Sequence, residues 1–317
     1  MRVRLGYVAI ALNLPKVTSS SAVTFTNYNK IPNEKEKLAK LKKVTLSNLE
    51  DLMKILQYNV ENDIHFYRIT STLVPLGTHP EVMWDYRNIF KRDFQYLGDF
   101  IKRNDLRVDT HPNEFNVINS IGEDVVENTI RNLWAHVHLF EDMGYENGKM
   151  VLHVGSSQGG RELAMDRFIR NFKALPKEIS ERVILENDDK TFTAKEVLHI
   201  CKEINAPMVF DVHHHLCNNQ GESVETFLED IFHTWYNEIL NPKLHFSSPK
   251  DGGLDRKHND YINCEDFIAF INLCKDINMD IDIMIEAKGK DKAMFKLIEE
   301  LKEKEQYKWI DRTSFEV

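Results

Sequence analysis

The sequence predicts an α/β protein built as one (β/α)8, or TIM, barrel, and three observations predict it. Eight short apolar segments of strand length recur along the chain, segments with helical apolar spacing separate them, and no Pro/Gly-rich linker divides the chain. A length of 317 residues is normal for a single barrel domain spanning 1–317. A doubly wound open sheet is the competing architecture, but no Gly-rich phosphate-binding turn follows the first strand.

Arg2–Ala9 is the first expected strand. Arginines before an apolar run imitate an export signal, yet Gly6, Tyr7 and Asn13 interrupt it and no small-residue cleavage site follows. A polar connection then runs to about Val44, with Ser19–Ser21 and lysines at 35, 37, 40, 42 and 43. The lysines read as a solvated helix face or as a phosphate rail, which the salt dependence of binding separates. From Thr45, the residues Leu46, Leu49, Leu52, Met53, Leu56 and Val60 fall at helical spacing, with Ser47 and Glu50 in capping-box register.

The second strand is expected over His65–Thr70, and a loop with Pro75, Gly77 and Pro80 leads to a helix over Tyr86–Lys102. Leu106–Thr110 is the third strand, running into His111, before a helix over Asp124–Met143. Lys149–His153 is the fourth, followed by a helix near Glu162–Ala174. Arg182–Leu185 is the fifth, with a helix over Lys195–Ile204 behind it. The run Pro207–Val212 is the sixth, leading to a helix over Val224–Ile239. Pro242–Phe246 and Ile281–Ile285 are the last two strands, with helices over Asp266–Asp276 and Lys292–Lys302.

Apolar residues make up 42% of the chain and mean hydropathy is −0.43, the balance of a water-soluble globular protein. No apolar run reaches the roughly 20 residues of a membrane helix, so no membrane partner is expected. The cysteines at 201, 217, 264 and 274 form no CxxC pair and read as reduced cytoplasmic thiols. A net charge of −9 argues mildly against nucleic acid, unless carboxylates are neutralised by bound cations. The apolar helix faces leave no clear spare patch, so a monomer is expected.

Barrel active sites sit at the C-terminal ends of the strands. There the sequence places His111, His153, Glu186, Asp211 with His213, His214 and His215, then Lys243 and His245, then Glu286; His258 follows in a loop. A single histidine or carboxylate at a strand end has an ordinary structural explanation. Six consecutive strands ending in such groups do not, and the set exceeds the four to six donors of one ion. Two or three clustered divalent cations fit better, and mixed imidazole and carboxylate ligation suits Mn²⁺ or Zn²⁺ better than Mg²⁺ or Ca²⁺. Clustered cations at a barrel mouth serve phosphoryl chemistry by activating water and neutralising phosphate oxygens.

The same residues resemble the UV damage endonucleases, related in fold to the endonuclease IV and xylose isomerase barrels. The resemblance runs from Leu5-Gly6-Tyr7 to the segment Glu286–Lys290, through blocks at 78–80, 110–112, 152–155, 185–189, 210–214 and 243–248. It implies an enzyme that nicks duplex DNA immediately 5′ of UV photoproducts and other lesions, leaving a 3′-hydroxyl and a 5′-phosphate. The implied metal ligands, for two or three ions of the Mn²⁺ type, are His111, His153, Glu186, Asp211, His214, His245, His258 and Glu286. His214 is preferred over its neighbours as the residue three after the aspartate, and Glu186 is placed to bridge two ions. Glu186, Lys243 and Glu286 are the implied catalytic groups. Lys243 matches a lysine carboxylated in some family members, the alternative being an unmodified lysine on phosphate. Ser247, Ser248 and Lys250 are expected along the phosphate path.

Tyr7 and Asn13 match positions that probe the duplex for weakened stacking. After His-Pro the family offers Gln and an aromatic residue, whereas this chain has Glu114 and Phe115. Phe115 can wedge or can pack under a loop; an ionised Glu114 cannot donate and repels phosphate, which alters the expected range of lesions. A damaged duplex is thus the implied partner, within a cytoplasmic, nucleoid-associated setting. Two rivals remain: a metal-dependent sugar isomerase or epimerase on the same barrel, and a DNA-structure-binding protein without turnover.

Overall fold

Eight parallel strands close into a ring in the computed structural model, which describes all 317 residues. They are β1 (Arg2–Val8), β2 (Phe66–Ile69), β3 (Arg107–Thr110), β4 (Lys149–His153), β5 (Val183–Glu186), β6 (Met208–Asp211), β7 (Lys243–Phe246) and β8 (Ile281–Ile285). Each pairs with its neighbours in sequence order, and β1 closes the ring by pairing with both β8 and β2. The barrel and all eight expected strands are present, with ends within a residue or two.

The outer layer is α1 (Glu34–Glu61), α2 (Lys91–Arg103), α3 (Glu123–Asp142), α4 (Arg161–Lys173), α5 (Ala194–Ile204), α6 (Leu228–His233), α7 (Cys264–Lys275) and α8 (Lys290–Lys304). The core of 67 buried residues lies between this layer and the outward strand faces, where Val108, Leu152, Leu185, Phe210, Leu244 and Ile283 point. No helix is long and apolar enough to cross a membrane. All four cysteines are free.

Three expected helices need correction, and one hairpin was not expected; of the helices, that over Tyr86–Lys102 breaks at Phe90 into Tyr86–Ile89 and α2. The helix expected from Thr45 begins eleven residues earlier: Asn33 caps it by accepting from the Glu36 amide at 2.9 Å, and Ser47 and Glu50 are exposed mid-helix positions. Its lysine-rich first turns alternate with Glu34 and Glu36, which hides the apolar period there. The helix expected over Val224–Ile239 breaks into a short turn at Val224–Thr226 and α6. Thr234 and Trp235 leave it to meet β6: the Met208 amide donates to Thr234 Oγ1 at 2.9 Å, and Trp235 Nε1 donates to the Met208 carbonyl at 2.7 Å. Finally, a hairpin of β9 (Lys308–Trp309) and β10 (Ser314–Glu316) pairs antiparallel with Arg2–Arg4 and has no counterpart in the sequence reading.

The barrel lumen is divided. Beneath β4, β5 and β6 it is mainly apolar, filled by Val151, Ile184, Val209 and the buried Trp235, with Lys149 at the start of β4 paired to Glu238. Beneath β1, β3, β7 and β8 it is ionic. Arg4 donates twice to Asp282, at 2.6 and 2.7 Å, and Arg107 donates to the same carboxylate at 2.7 Å. One layer up, Lys243 pairs with Asp109, both buried. Burial pushes Asp282 up, but Arg107 and Arg4 outweigh it and hold the carboxyl below its ordinary range. Gly6 faces this lumen, where a Cβ would stand 2.7 Å from the Phe66 ring, so the position accepts only hydrogen.

Candidate metal centre

The site grows from the rim of this lumen. Alternation along each strand turns His111 to the same side as Asp109, His153 as Val151, Glu186 as Ile184, Asp211 as Val209, and His245 as Lys243. At β6 the geometry changes, because Val212–Cys217 is a short helix with Asp211 as its N-cap. Asp211 Oδ1 accepts from the His214 amide at 2.7 Å. Helical spacing then returns His214 to the side of Asp211 while its neighbours turn away. His213 hydrogen-bonds within the loops, and His215 packs against Phe210 and Phe227.

Glu186 sits at the centre, buried. One oxygen lies 3.0 Å from His111 Nε2 and 3.6 Å from His153 Nε2; the other lies 2.8 Å from His245 Nδ1 and 3.4 Å from His214 Nδ1. His245 Nδ1 is also 3.3 Å from Glu286 and 3.9 Å from Asp211. The donors form three groups able to hold a metal ion, each with ligand atoms within 4.8 Å: His111, His153, Glu186; Glu186, Asp211, His214; and Asp211, His245, Glu286. Glu186 belongs to the first two groups and Asp211 to the last two.

The electrostatics fit bound cations. Burial pushes Glu186 up, yet His245, His153 and His111 outweigh it and hold the carboxyl well below its usual range. Burial pulls His214 down, but Asp211 and Glu186 raise it to about 9. Asp211 is raised, mainly by burial, and its Oδ2 is enclosed without any hydrogen-bond partner. A buried carboxylate oxygen left bare beside imidazoles is what a divalent ion satisfies.

Seven of the eight expected ligands are thus brought together. His258 stands apart from the three groups, its ring 6.4 Å from that of His214 and 5.3 Å from that of His213. Lys243 needs correcting as a phosphate contact: it is wholly buried below the rim, committed to Asp109. Ser247 and Ser248 are also buried, Ser247 against His213 at 2.8 Å and Ser248 accepting from the Asn263 amide at 2.9 Å, so neither lines an open path. Lys250 is exposed.

Of the expected probing residues, Tyr7 is corrected: it has no exposure and its hydroxyl donates to Asn59 Oδ1 at 2.8 Å. Asn13 is exposed at the mouth, donating to the Tyr58 hydroxyl at 3.2 Å. Glu114 is exposed, and Phe115 is 75% exposed, which excludes packing under a loop.

Two residues escaped the sequence reading. Arg68, buried on β2, pairs with Glu286 and helps hold that carboxyl low against burial. Asn187 donates to the Asp211 carbonyl and accepts from the Asp211 amide, both at 2.9 Å, fixing the backbone that presents Asp211. A charge inside an apolar strand was the signal for Arg68.

Comparison with known proteins bears on the family and the fold. The family model described as UV-endonuclease UvdE matches residues 3–316. A UV DNA damage endonuclease of Bacillus cereus (strain B4264) is 40% identical over 302 residues, covering 95% of each chain. The crystal structure of SacUVDE superposes with a TM-score of 0.84 at 35% identity, covering 95% of this chain and 98% of that one. Endonuclease IV from Thermus thermophilus shares the fold alone, with a TM-score of 0.51 at 14% identity, over 76% of this chain and 89% of that one.

Proposed function

Because the chain belongs to the UV-endonuclease UvdE family, and is thus an endonuclease acting on DNA, we propose that it repairs damaged duplexes by nicking them immediately 5′ of UV photoproducts and related lesions. The cut leaves a 3′-hydroxyl and a 5′-phosphate. The observation that carries this reading is the run of three donor groups joined through Glu186 and Asp211 at the barrel mouth. Such joined groups suit a phosphodiester, whose attacked and leaving oxygens both need charge neutralised. The sugar isomerase reading has no support from the relatives at 40% identity.

His111, His153, Glu186, Asp211, His214, His245 and Glu286 would hold two or three ions, with Mn²⁺ favoured by the mixed donor set. Bound there, the ions supply Lewis acidity toward water and the scissile phosphate. The chain's own groups set the geometry: Glu186 draws four imidazoles to one point, and Arg68 orients Glu286. The Lys243–Asp109 pair lies buried beneath them. Glu186 and Glu286 are the catalytic carboxylates of this reading; Lys243, when unmodified, sits paired with Asp109 beneath them and positions rather than contacts substrate, whereas its carboxylated form would be an anion that gives up this pair. The enzyme works as a monomer in the cytoplasm, at the nucleoid.

The test is incision of a duplex carrying one defined photoproduct, with Mn²⁺ present and then chelated, beside an undamaged duplex and Glu186→Gln. Metal-dependent cutting directly 5′ of the lesion, lost in the variant, is expected. Absence of incision on photoproduct and abasic duplexes by metal-loaded protein would overturn the reading.

A further inference from the structure

We infer that the hairpin between β7 and α7, residues 248–259, is a DNA-engaging arm in which Leu254 inserts where base stacking is weak and Lys250, Arg256 and Lys257 hold phosphates. His213 is the residue that positions it. The inference rests on the endonuclease reading and adds a recognition element to it.

The hairpin is a built structure. The Lys250 amide donates to the Lys257 carbonyl at 2.8 Å, the Asn259 amide donates to the Ser248 carbonyl at 2.8 Å, and Pro249 bridges antiparallel to His258. The Asp255 carboxylate is turned onto the hairpin's own Asp251 and Lys257 amides, at 3.2 and 3.1 Å, so part of its charge is answered inside the arm. Lys250, Arg256 and Lys257 are exposed. Arg256 meets Asp189 only loosely, at 3.5 Å.

The tip is Gly252-Gly253-Leu254. Both glycines take positive φ, +78° and +58°, and no atom lies within 4 Å of a Cβ built on either. They serve the turn and not packing; the Leu254 side chain is 65% exposed while its carbonyl accepts from Cys217 Sγ at 3.7 Å. An apolar side chain on an arm that carries Lys250, Arg256 and Lys257 against Asp251 and Asp255, held forward from the rim of a nuclease site, has the composition of a wedge that enters a partly unstacked step. Phe115 projects from the same rim behind β3.

The anchor is His213, which is 1% exposed. Its Nε2 donates to the Asp255 carbonyl at 2.8 Å, which leaves Nδ1 to accept from Ser247 Oγ at 2.8 Å. One ring therefore ties the far side of the hairpin to the end of β7. Because His214 beside it points to Glu186, the backbone that sets a metal donor also sets the arm.

Binding is measured by fluorescence anisotropy on a photoproduct duplex and its undamaged twin, with metal content and incision recorded for every protein. Leu254→Ser is expected to weaken binding to the damaged duplex about tenfold and to the undamaged one less than twofold. Lys257→Ala weakens both equally. His213→Phe, which keeps the ring and loses both hydrogen bonds, reproduces the Leu254→Ser loss, and the double variant is no worse than either single. In steady state these losses raise KM more than they lower kcat. An unchanged damaged-to-undamaged ratio in Leu254→Ser, with wild-type incision intact, overturns the inference alone. Loss of bound metal in His213→Phe overturns its positioning role. A wild-type protein that cuts no damaged duplex overturns the endonuclease reading and this one with it.

Discussion

His245 Nδ1 stands 2.8 Å from Glu186 Oε1, and both side chains are buried. The other Glu186 oxygen is 3.0 Å from His111 Nε2, so one carboxylate is divided between opposite sides of the barrel mouth. Removing its charge therefore unsettles two donor groups together. Glu186→Gln is expected to lose more than one ion per chain in equilibrium dialysis with elemental analysis. His153→Gln, whose residue enters one group only, is expected to lose one at most.

The floor of the lumen offers a stability test. Asp282 is buried and serves both Arg4 and Arg107, so Asp282→Leu leaves two guanidiniums without their anion and should cost about 3–5 kcal/mol in urea unfolding at neutral pH. Adding Arg107→Met should recover part of that loss, because the uncompensated buried charge is then reduced. A double variant as unstable as the sum of its singles would remove the pair from the account.

His136, on α3, is buried, and burial lowers it to about 4. Its folded value lies below the unfolded one of about 6.5, so its contribution is complete above pH 6.5 and is lost as pH falls toward 4. At the acid end the loss amounts to about 3 kcal/mol. Wild-type stability measured at steps between pH 7 and pH 4 should fall more steeply than that of His136→Gln. Parallel profiles would contradict the assignment.

Much of the fold was legible because outward strand faces are almost uniformly apolar, as in Ile281–Ile285, and end abruptly in polar residues. The ligands were legible for the same reason, since a strand end in a barrel is a known place. What lay inside was harder to read. Arg107, Asp109 and Asp282 occupy alternate positions on short strands, and alternation that normally marks a solvent face here marks an ionic lumen. Tyr7 was misplaced because a residue near a strand end can face either way, and Asn59 in α1 supplied the partner that drew it inward. The β9–β10 hairpin, with strands of two and three residues, is too short to show any period.

The ionic half of the lumen also bears on how the chain acquires its structure. Arg4, Arg68, Arg107 and Asp109 all lie in the first three strands, while their partners Asp282, Glu286 and Lys243 lie in the last two or just beyond them. During synthesis the early strands must wait more than 130 residues before these ion pairs can close, as the 134-residue separation of Lys243 from Asp109 shows. A nascent chain stopped after β6 would hold an apolar seam at Val151, Ile184 and Val209 beside charges whose ion-pair partners in β7 and β8 are not yet made. Such an unclosed six-stranded sheet has little reason to persist, so β7 and β8 act as the step that commits the whole ring to its final state.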